Sequence, residues 1–165
     1  MKLKYQLMLF FAALLNAVSM FTMADDNTFP NTDSLYREIQ RTVAEADFGG
    51  MAAVYHVDAV LVKAQSTAVI SSVMPRWKAA GEKLRREGGQ ASVAFRFTSR
   101  QLDSTSAFDS GIFRYAATDA DGVERETFVY FENLAVFRNG RWLTLMERQM
   151  TSADVTAWNN LPASW

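Results

Sequence analysis

Leu134–Leu145, LAVFRNGRWLTL, consists of two apolar, strand-like halves on either side of Asn139 and Gly140. An Asn-Gly pair between such halves is the strongest short-range signal for a β-hairpin with a two-residue turn. Counting outward from that turn places Glu132 directly opposite Glu147 on one face of the sheet. Like charges in facing positions destabilise a sheet. The hairpin therefore predicts both a fold and a polar site that needs an explanation.

Three more segments after Gly89 have the same character, being rich in aromatic and β-branched residues. They cover 91–102, 106–118 and 126–137, and the last continues through the Asn-Gly turn into 141–150. Short polar or glycine-containing stretches separate them. The pattern predicts a four-strand antiparallel meander in the C-terminal half of the chain.

The N-terminal half is predicted to be mainly helical. Leu35, Ile39, Val43 and Ala46 recur at helical spacing from Asp33 onward. A break at 47–50 precedes a short second helix in MAAVY (51–55), a brief strand is expected at 58–62, and a third helix starts within 66–74 and ends at 88–89. Helices followed by a meander indicate an α+β fold: a cone-like curved antiparallel sheet, with one short early strand, wrapped around N-terminal helices. We assign this domain to 33–151 and a C-terminal tail to 152–165.

The first 24 residues have the three-part pattern of a secretory signal. Lys2 and Lys4 precede an apolar run over 7–21, and 22–24 (Thr-Met-Ala) offers small residues for cleavage after Ala24. A periplasmic or secreted location is expected, with membrane contact only during export and a polar leader at 25–32. An uncleaved membrane anchor is the alternative interpretation.

Composition limits the classes of function. The 165 residues are 49% hydrophobic with a net charge of −1, which suits one domain with a core and does not favour nucleic-acid binding through phosphate neutralisation. Cysteine is absent, so disulfides, thiolate nucleophiles and cysteine metal sites are excluded. The chain has no glycine-rich phosphate loop and no Gly-x-Ser-x-Gly elbow. No cofactor is expected.

Two-residue loops at each predicted hairpin place the polar side chains together on one face of the meander. That face carries Arg96, Thr98, Arg100, Asp109, Phe113, Tyr130, Glu132, Glu147 and Gln149. The other face carries Phe95, Phe97, Ile112, Val129, Phe131, Phe137 and Trp142. An odd-length loop or a β-bulge exchanges the faces beyond it.

The polar face has a catalytic interpretation. In a sheltered pocket, Glu147 and Glu132 would share one proton and act as acid and base on a small molecule. Tyr130 would donate a hydrogen bond, and Arg96 or Arg100 would orient an anionic or carbonyl group. The remaining predicted binding residues are Asp109, Gln149 and, at the pocket rim, the only histidine, His56.

Two other interpretations of the same face remain open. In one, the cluster is structural: Arg100 pairs with Asp109, and a second arginine offsets the glutamates. In the other, Asp109, Glu132 and Glu147 hold a divalent cation, although the nearby arginines argue against it.

The order of elements, with ADFGGMAAVYHVDAVLV, AFDSGIFRY and the Gly-Arg-Trp of the last hairpin, resembles the nuclear-transport-factor-2-like superfamily. Within it, the chain is most similar to the SnoaL-like and ketosteroid-isomerase-like branch, from about Leu35 to Met150. The resemblance implies a cone with a ligand pocket and a homodimer formed through the outer sheet face. Lys63 and Ile39 stand where ketosteroid isomerases have their catalytic aspartate and tyrosine, which argues against steroid isomerase activity. Glu147 corresponds to an acidic position in the pockets of this branch.

The sequence thus predicts an exported domain that binds a small organic molecule. Cofactor-free acid–base chemistry of the isomerase, dehydratase or cyclase type is one expectation. The alternative is a non-enzymatic ligand-binding or dimerisation module.

Overall fold

A computed structural model describes residues 30–164 and shows an α+β fold with a curved, unclosed six-strand sheet. The predicted signal at 1–24 and most of the leader lie outside the described residues. No helix within 30–164 combines the length and apolar character needed to span a membrane.

In the described part of the chain, three helices precede the meander and a fourth follows it: α1 (Asp33–Glu45), α2 (Phe48–Ala53), α3 (Ile70–Arg86) and α4 (Val155–Asn159). Ala46 ends α1 in the left-handed conformation, and the Asp47 carboxylate accepts a hydrogen bond from Gly50 N at the start of α2. The break between the first two helices is therefore at Ala46 and Asp47, and residues 48–50, which were predicted to belong to the break, are part of α2.

The sheet contains the four predicted meander strands and two early strands. They are β1 (Tyr55–Lys63), β2 (Ser66–Val69), β3 (Gln90–Leu102), β4 (Ser106–Thr118), β5 (Glu124–Arg138) and β6 (Arg141–Ala153), in the order β2-β1-β6-β5-β4-β3. All neighbours are antiparallel except β1 and β6, which are parallel. The short strand expected at 58–62 is longer than predicted, and the segment at 66–69 is a strand where a helix was expected.

The Asn-Gly hairpin has the predicted register close to its turn. Asn139 and Gly140 both have positive φ, as a two-residue turn of this kind requires. The register then shifts by one residue between Ala135 and Leu134, so that Glu132 pairs with Arg148. The predicted pairing of Glu132 with Glu147 is wrong because this β-bulge exchanges the faces of β6 beyond it.

The other two hairpins also differ from the two-residue loops assumed. Five residues, 119–123, separate β4 from β5, so Tyr130 pairs with Ile112 and not with Phe113. Between β3 and β4 the predicted pairing of Arg100 with Asp109 is confirmed, but a second bulge at Thr98 shifts the register farther from the turn. These odd insertions divide the predicted polar face between the two sides of the sheet.

The face under the helices holds most of the core. The Tyr36 ring of α1 packs against the rings of Phe95 and Phe97, with centroids 4.8 Å away in each case, and also contacts Phe131. Of the predicted apolar face, only Ile112 is on the other side, which we call the outer face. The tail predicted at 152–165 includes α4, whose Trp158 is buried.

Candidate functional site

A cavity of about 410 Å³ lies between α1, α2, α3 and the sheet. Its walls are mostly apolar and include Phe48, Trp77, Phe95, Phe113 and Phe131. Small-molecule sites typically have this size and lining, with a few polar groups that fix orientation.

One group of polar side chains in the cavity wall belongs to β1 and β6. The Tyr55 hydroxyl donates to Glu147 Oε2 at 2.7 Å, and Gln149 Nε2 donates to Glu147 Oε1 at 2.6 Å. Glu147 and Gln149 share a face because they are two residues apart on one strand. The parallel pairing brings Tyr55 beside Thr144 of β6. We call Tyr55, Glu147 and Gln149 the cavity cluster.

The cavity cluster has a carboxylate without a cationic partner. Among residues 30–164, no lysine, arginine or histidine nitrogen lies within 4.0 Å of Glu147, and its two donors are a phenol and an amide. Burial, and then the charge of Glu147, raises the pKa of Tyr55 well above its ordinary value. Tyr55 therefore stays a hydrogen-bond donor at neutral pH, and Glu147 is an acceptor that faces the cavity.

The two glutamates predicted as a catalytic pair are on opposite faces of the sheet. Glu132 is on the outer face, where Arg148 Nη1 contacts its Oε2 at 2.9 Å. Glu147 pairs with Asn133, which lines the cavity. A proton shared between Glu132 and Glu147 is thus excluded by the bulge in β6.

Tyr130 and Arg96 are also on the outer face, in one row with Ile112. Arg96 Nη1 donates to the carbonyl oxygens of Trp158 (2.8 Å) and Leu161 (3.1 Å), and its guanidinium lies 4.5 Å from the centre of the Trp158 ring. Neither residue lines the cavity, so the predictions that Tyr130 donates a hydrogen bond to the ligand and that Arg96 orients it are wrong. Arg96 instead holds the C-terminal segment on the sheet.

Arg100 and Asp109 form the predicted ion pair, at 3.2 Å between Nε and Oδ1. Arg100 also contacts Asp33 at 2.6 Å, and the Thr32 hydroxyl donates to Asp109 Oδ2 at 2.8 Å. Asp109 is only 1% exposed, and neither it nor Arg100 lines the cavity. This supports the structural interpretation for these two residues. We call Arg100, Asp109, Asp33, Thr32 and Tyr36 the arginine-paired cluster.

Tyr36 connects the arginine-paired cluster to the cavity wall. Asn133 Nδ2 donates to its hydroxyl at 3.2 Å, and both residues line the cavity. Burial, followed by the charge of Asp109, raises the pKa of Tyr36 well above its ordinary value. Tyr36 therefore remains neutral beside the carboxylate.

The remaining predictions have different outcomes. Gln149 lines the cavity, as expected. His56 lies in β1, where its Nδ1 accepts from Asp58 N at 3.2 Å, and it is not part of the cavity wall. The cation site of Asp109, Glu132 and Glu147 is not assembled, and no group of three possible metal-binding side chains occurs within the described part of the chain.

Sequence reasoning missed Tyr55, Tyr36 and Asn133. Tyr55 was placed in a helix, although it begins a strand. Asn133 had a usable signal, since it alternates with Phe131 and Ala135 on the buried side of β5. A lone amide in such a row of apolar residues indicates a hydrogen-bonding requirement on that face.

Comparisons with known proteins place this fold among solved structures. A ketosteroid isomerase-like protein from Erwinia carotovora atroseptica is 16% identical, with a TM-score of 0.53 over 74% of this chain and 94% of the other. An NTF2-like superfamily protein from Salmonella enterica is 10% identical, with a TM-score of 0.56 over 74% and 89%. A protein of unknown function with a cystatin-like fold from Nostoc punctiforme is 10% identical, with a TM-score of 0.51 over 74% and 88%.

No family model and no curated protein matches the sequence. The structural likeness nevertheless confirms that the chain has the nuclear-transport-factor-2-like, cystatin-like fold that the sequence resemblance implied. At these identities the likeness establishes the fold, and function has to be argued from the site itself.

Proposed function

We propose that the domain binds a small, largely apolar organic molecule in the cavity, and that Glu147 acts on it as a general base. The observation that carries this proposal is the hydrogen-bonded Tyr55–Glu147 pair, 2.7 Å apart, on the wall of a 410 Å³ apolar cavity. A carboxylate whose hydrogen-bond donors are neutral groups, and which faces the cavity, is placed to accept a proton from a ligand.

The reaction class that fits is a proton transfer without cofactor. Glu147 would remove a proton next to a carbonyl group and return it at another position, as in an isomerisation. Tyr55 and Gln149 would hold the carboxylate in place through their hydrogen bonds, and the aromatic walls would exclude water. No oxidant, reductant or other co-reactant is needed for such a step, because each proton that Glu147 removes is replaced by one that it delivers, and the carboxyl proton can exchange with solvent between the two transfers.

Binding can be tested with N-phenyl-1-naphthylamine, a neutral aromatic dye whose fluorescence rises in apolar surroundings. Val129 lines the cavity and its neighbour Tyr130 lies on the outer face, so Val129→Trp and Tyr130→Trp form a matched pair. We expect the first variant to lose most dye binding and the second to retain it. Equal binding by both variants would show that the cavity is not the site.

Catalysis can be tested with 2-tetralone, an apolar aromatic ketone, in deuterated water. The protein should accelerate deuterium incorporation next to the carbonyl, as followed by NMR, and Glu147→Gln should remove the acceleration. If the dye binds in the cavity but 2-tetralone gains deuterium equally fast with the wild type and with Glu147→Gln, the protein is better described as a non-enzymatic ligand-binding module.

Export and dimerisation complete the proposal. The basic and apolar pattern of 1–24 supports export with cleavage after Ala24, which mass spectrometry of protein recovered from the producing cells would test. Half-buried apolar residues on the outer face, namely Phe108, Leu134, Val136 and Met146, support a homodimer through that face. Sedimentation of the wild type and of Leu134→Glu would test it, since the variant should be monomeric if the proposal holds.

A further inference from the structure

Arg85 is the one basic side chain among the described residues that line the cavity. It lies in the last turn of α3, next to two other basic residues, Lys83 and Arg86. Its Nη2 donates to the carbonyl oxygen of Ala44 in α1 at 2.5 Å. The guanidinium therefore spans the gap between the two helices at an exposed rim of the cavity.

The charge of Arg85 is not matched by a carboxylate. Within residues 30–164 no acidic oxygen lies within 4.0 Å of it, whereas the neighbouring cations Lys78, Lys83 and Arg86 each have a glutamate at 3.8 Å. A guanidinium has five N–H donors, and the structure assigns one of them to Ala44. The remaining donors can bind an anionic group of a ligand.

The two charged groups of the cavity are on different walls. Arg85 belongs to the helical wall and Glu147 to the sheet, with apolar and aromatic side chains such as Trp77 and Leu84 also lining the space. They do not form an ion pair with each other. A molecule that satisfies both has an anionic end, an apolar body, and a hydrogen-bond donor or an acidic C–H group directed towards Glu147.

We propose that the ligand of this cavity is an amphipathic organic anion, whose carboxylate or sulfonate group binds Arg85 while its ring or chain body fills the apolar interior. This inference rests on the proposed function, because it assumes that the cavity binds a ligand. It adds the chemical class of that ligand and assigns Arg85 as the residue that selects it.

Two dyes with the same aromatic skeleton can test the charge preference. 8-Anilinonaphthalene-1-sulfonate carries a sulfonate that N-phenyl-1-naphthylamine lacks. Arg85→Met removes the cation at the rim, and Arg86→Met removes the adjacent cation, which does not line the cavity. Fluorescence titrations of both dyes against the wild type and both variants separate the effect of the dye's charge from the effect of the position of the arginine.

We expect Arg85→Met to weaken binding of the sulfonate dye by about fivefold, the scale of one solvent-exposed charge interaction. The neutral dye should respond less than twofold, and Arg86→Met should leave both dyes at wild-type affinity. If the neutral dye binds in the cavity but both variants affect the sulfonate dye equally, the ligand class is wrong and the proposed function stands. If neither dye binds, or Val129→Trp does not reduce binding, both proposals fail.

Discussion

The arginine-paired cluster and the cavity cluster both place a carboxylate under the helices, but they satisfy it differently. Asp109 is almost fully buried, pairs with Arg100 and accepts from Thr32. Glu147 is half-buried, accepts from Tyr55 and Gln149 alone among residues 30–164, and faces an open cavity. The charge of Asp109 is compensated by an arginine of the protein, whereas Glu147 can still interact with a ligand in the cavity.

This difference separates structural from functional polar groups better than their residue types do. A buried charge whose partner is removed is strongly destabilising, so a closed ion pair constrains the fold. A carboxylate with neutral partners contributes less to stability and keeps its chemistry available. Replacing Asp109 by Asn should therefore lower stability, whereas replacing Glu147 by Gln should remove the ligand chemistry and leave stability nearly unchanged.

Asp109→Asn should have the largest effect on stability. It leaves Arg100 facing an amide and places an extra donor beside Thr32, in a position that water does not reach. We expect the free energy of unfolding to fall by about 3 kcal/mol, as when one partner of a buried pair is lost. Urea unfolding would measure it. A loss below about 1 kcal/mol would mean that the arginine-paired cluster does not hold the fold.

High pH should destabilise the protein through the tyrosine of each cluster. The pKa values of Tyr36 and Tyr55 are raised by burial and by the neighbouring carboxylate, so both stay neutral in the folded state after the unfolded chain has begun to ionise. The stability that these two neutral tyrosines contribute to the folded state is fully present below pH 10 and is lost as the pH rises above it. Each tyrosine can cost up to about 1.4 kcal/mol per pH unit there.

Thermal melting between pH 8 and 11 would measure this alkaline loss. Tyr55→Phe should make the decline shallower, because it removes one of the two groups that would have to ionise in a buried site. An unchanged slope in Tyr55→Phe would contradict the assignment of this residue. Tyr36→Phe should also flatten the slope, but from a lower starting stability, since it leaves Asn133 without its acceptor.

Glu147→Gln should change stability by less than about 1 kcal/mol in either direction. The amide that replaces the carboxylate can still accept from Tyr55 or Gln149, and the half-buried negative charge disappears. The same variant should lose the proton exchange described above. A loss of stability as large as that in Asp109→Asn would place Glu147 among the structural residues and remove the contrast between the clusters.

The sequence predicted the fold class, three helices, the four meander strands and the turn at Asn139 and Gly140, because these depend on local periodicity and turn chemistry. It also predicted the Arg100–Asp109 pair, which lies close to a short turn. The candidate site was less predictable, because each unforeseen bulge or odd-length loop moves all the side chains beyond it to the other face of the sheet. One bulge in β6 and one five-residue loop were enough to move Glu132 and Tyr130 to the other face.

The parallel contact between β1 and β6 was the second source of error. It brings Tyr55 to Glu147 across 92 positions of sequence, and local patterns carry little information about contacts of that range. The role of Glu147 as a site residue stays a prediction, whereas Glu132, its partner in that prediction, lies on the outer face beside Arg148. The two glutamates therefore provide an internal control for each other.

Glu132→Gln should have a smaller effect than the other substitutions. Its partner Arg148 is 49% exposed on the outer face, and ion pairs of this kind contribute less than about 1 kcal/mol. The variant should keep dye binding and proton exchange at wild-type levels, since Glu132 does not reach the cavity. If Glu132→Gln reduced exchange as strongly as Glu147→Gln, the two carboxylates would have to act together in solution, and the register of β5 with β6 would have to differ from the one described here.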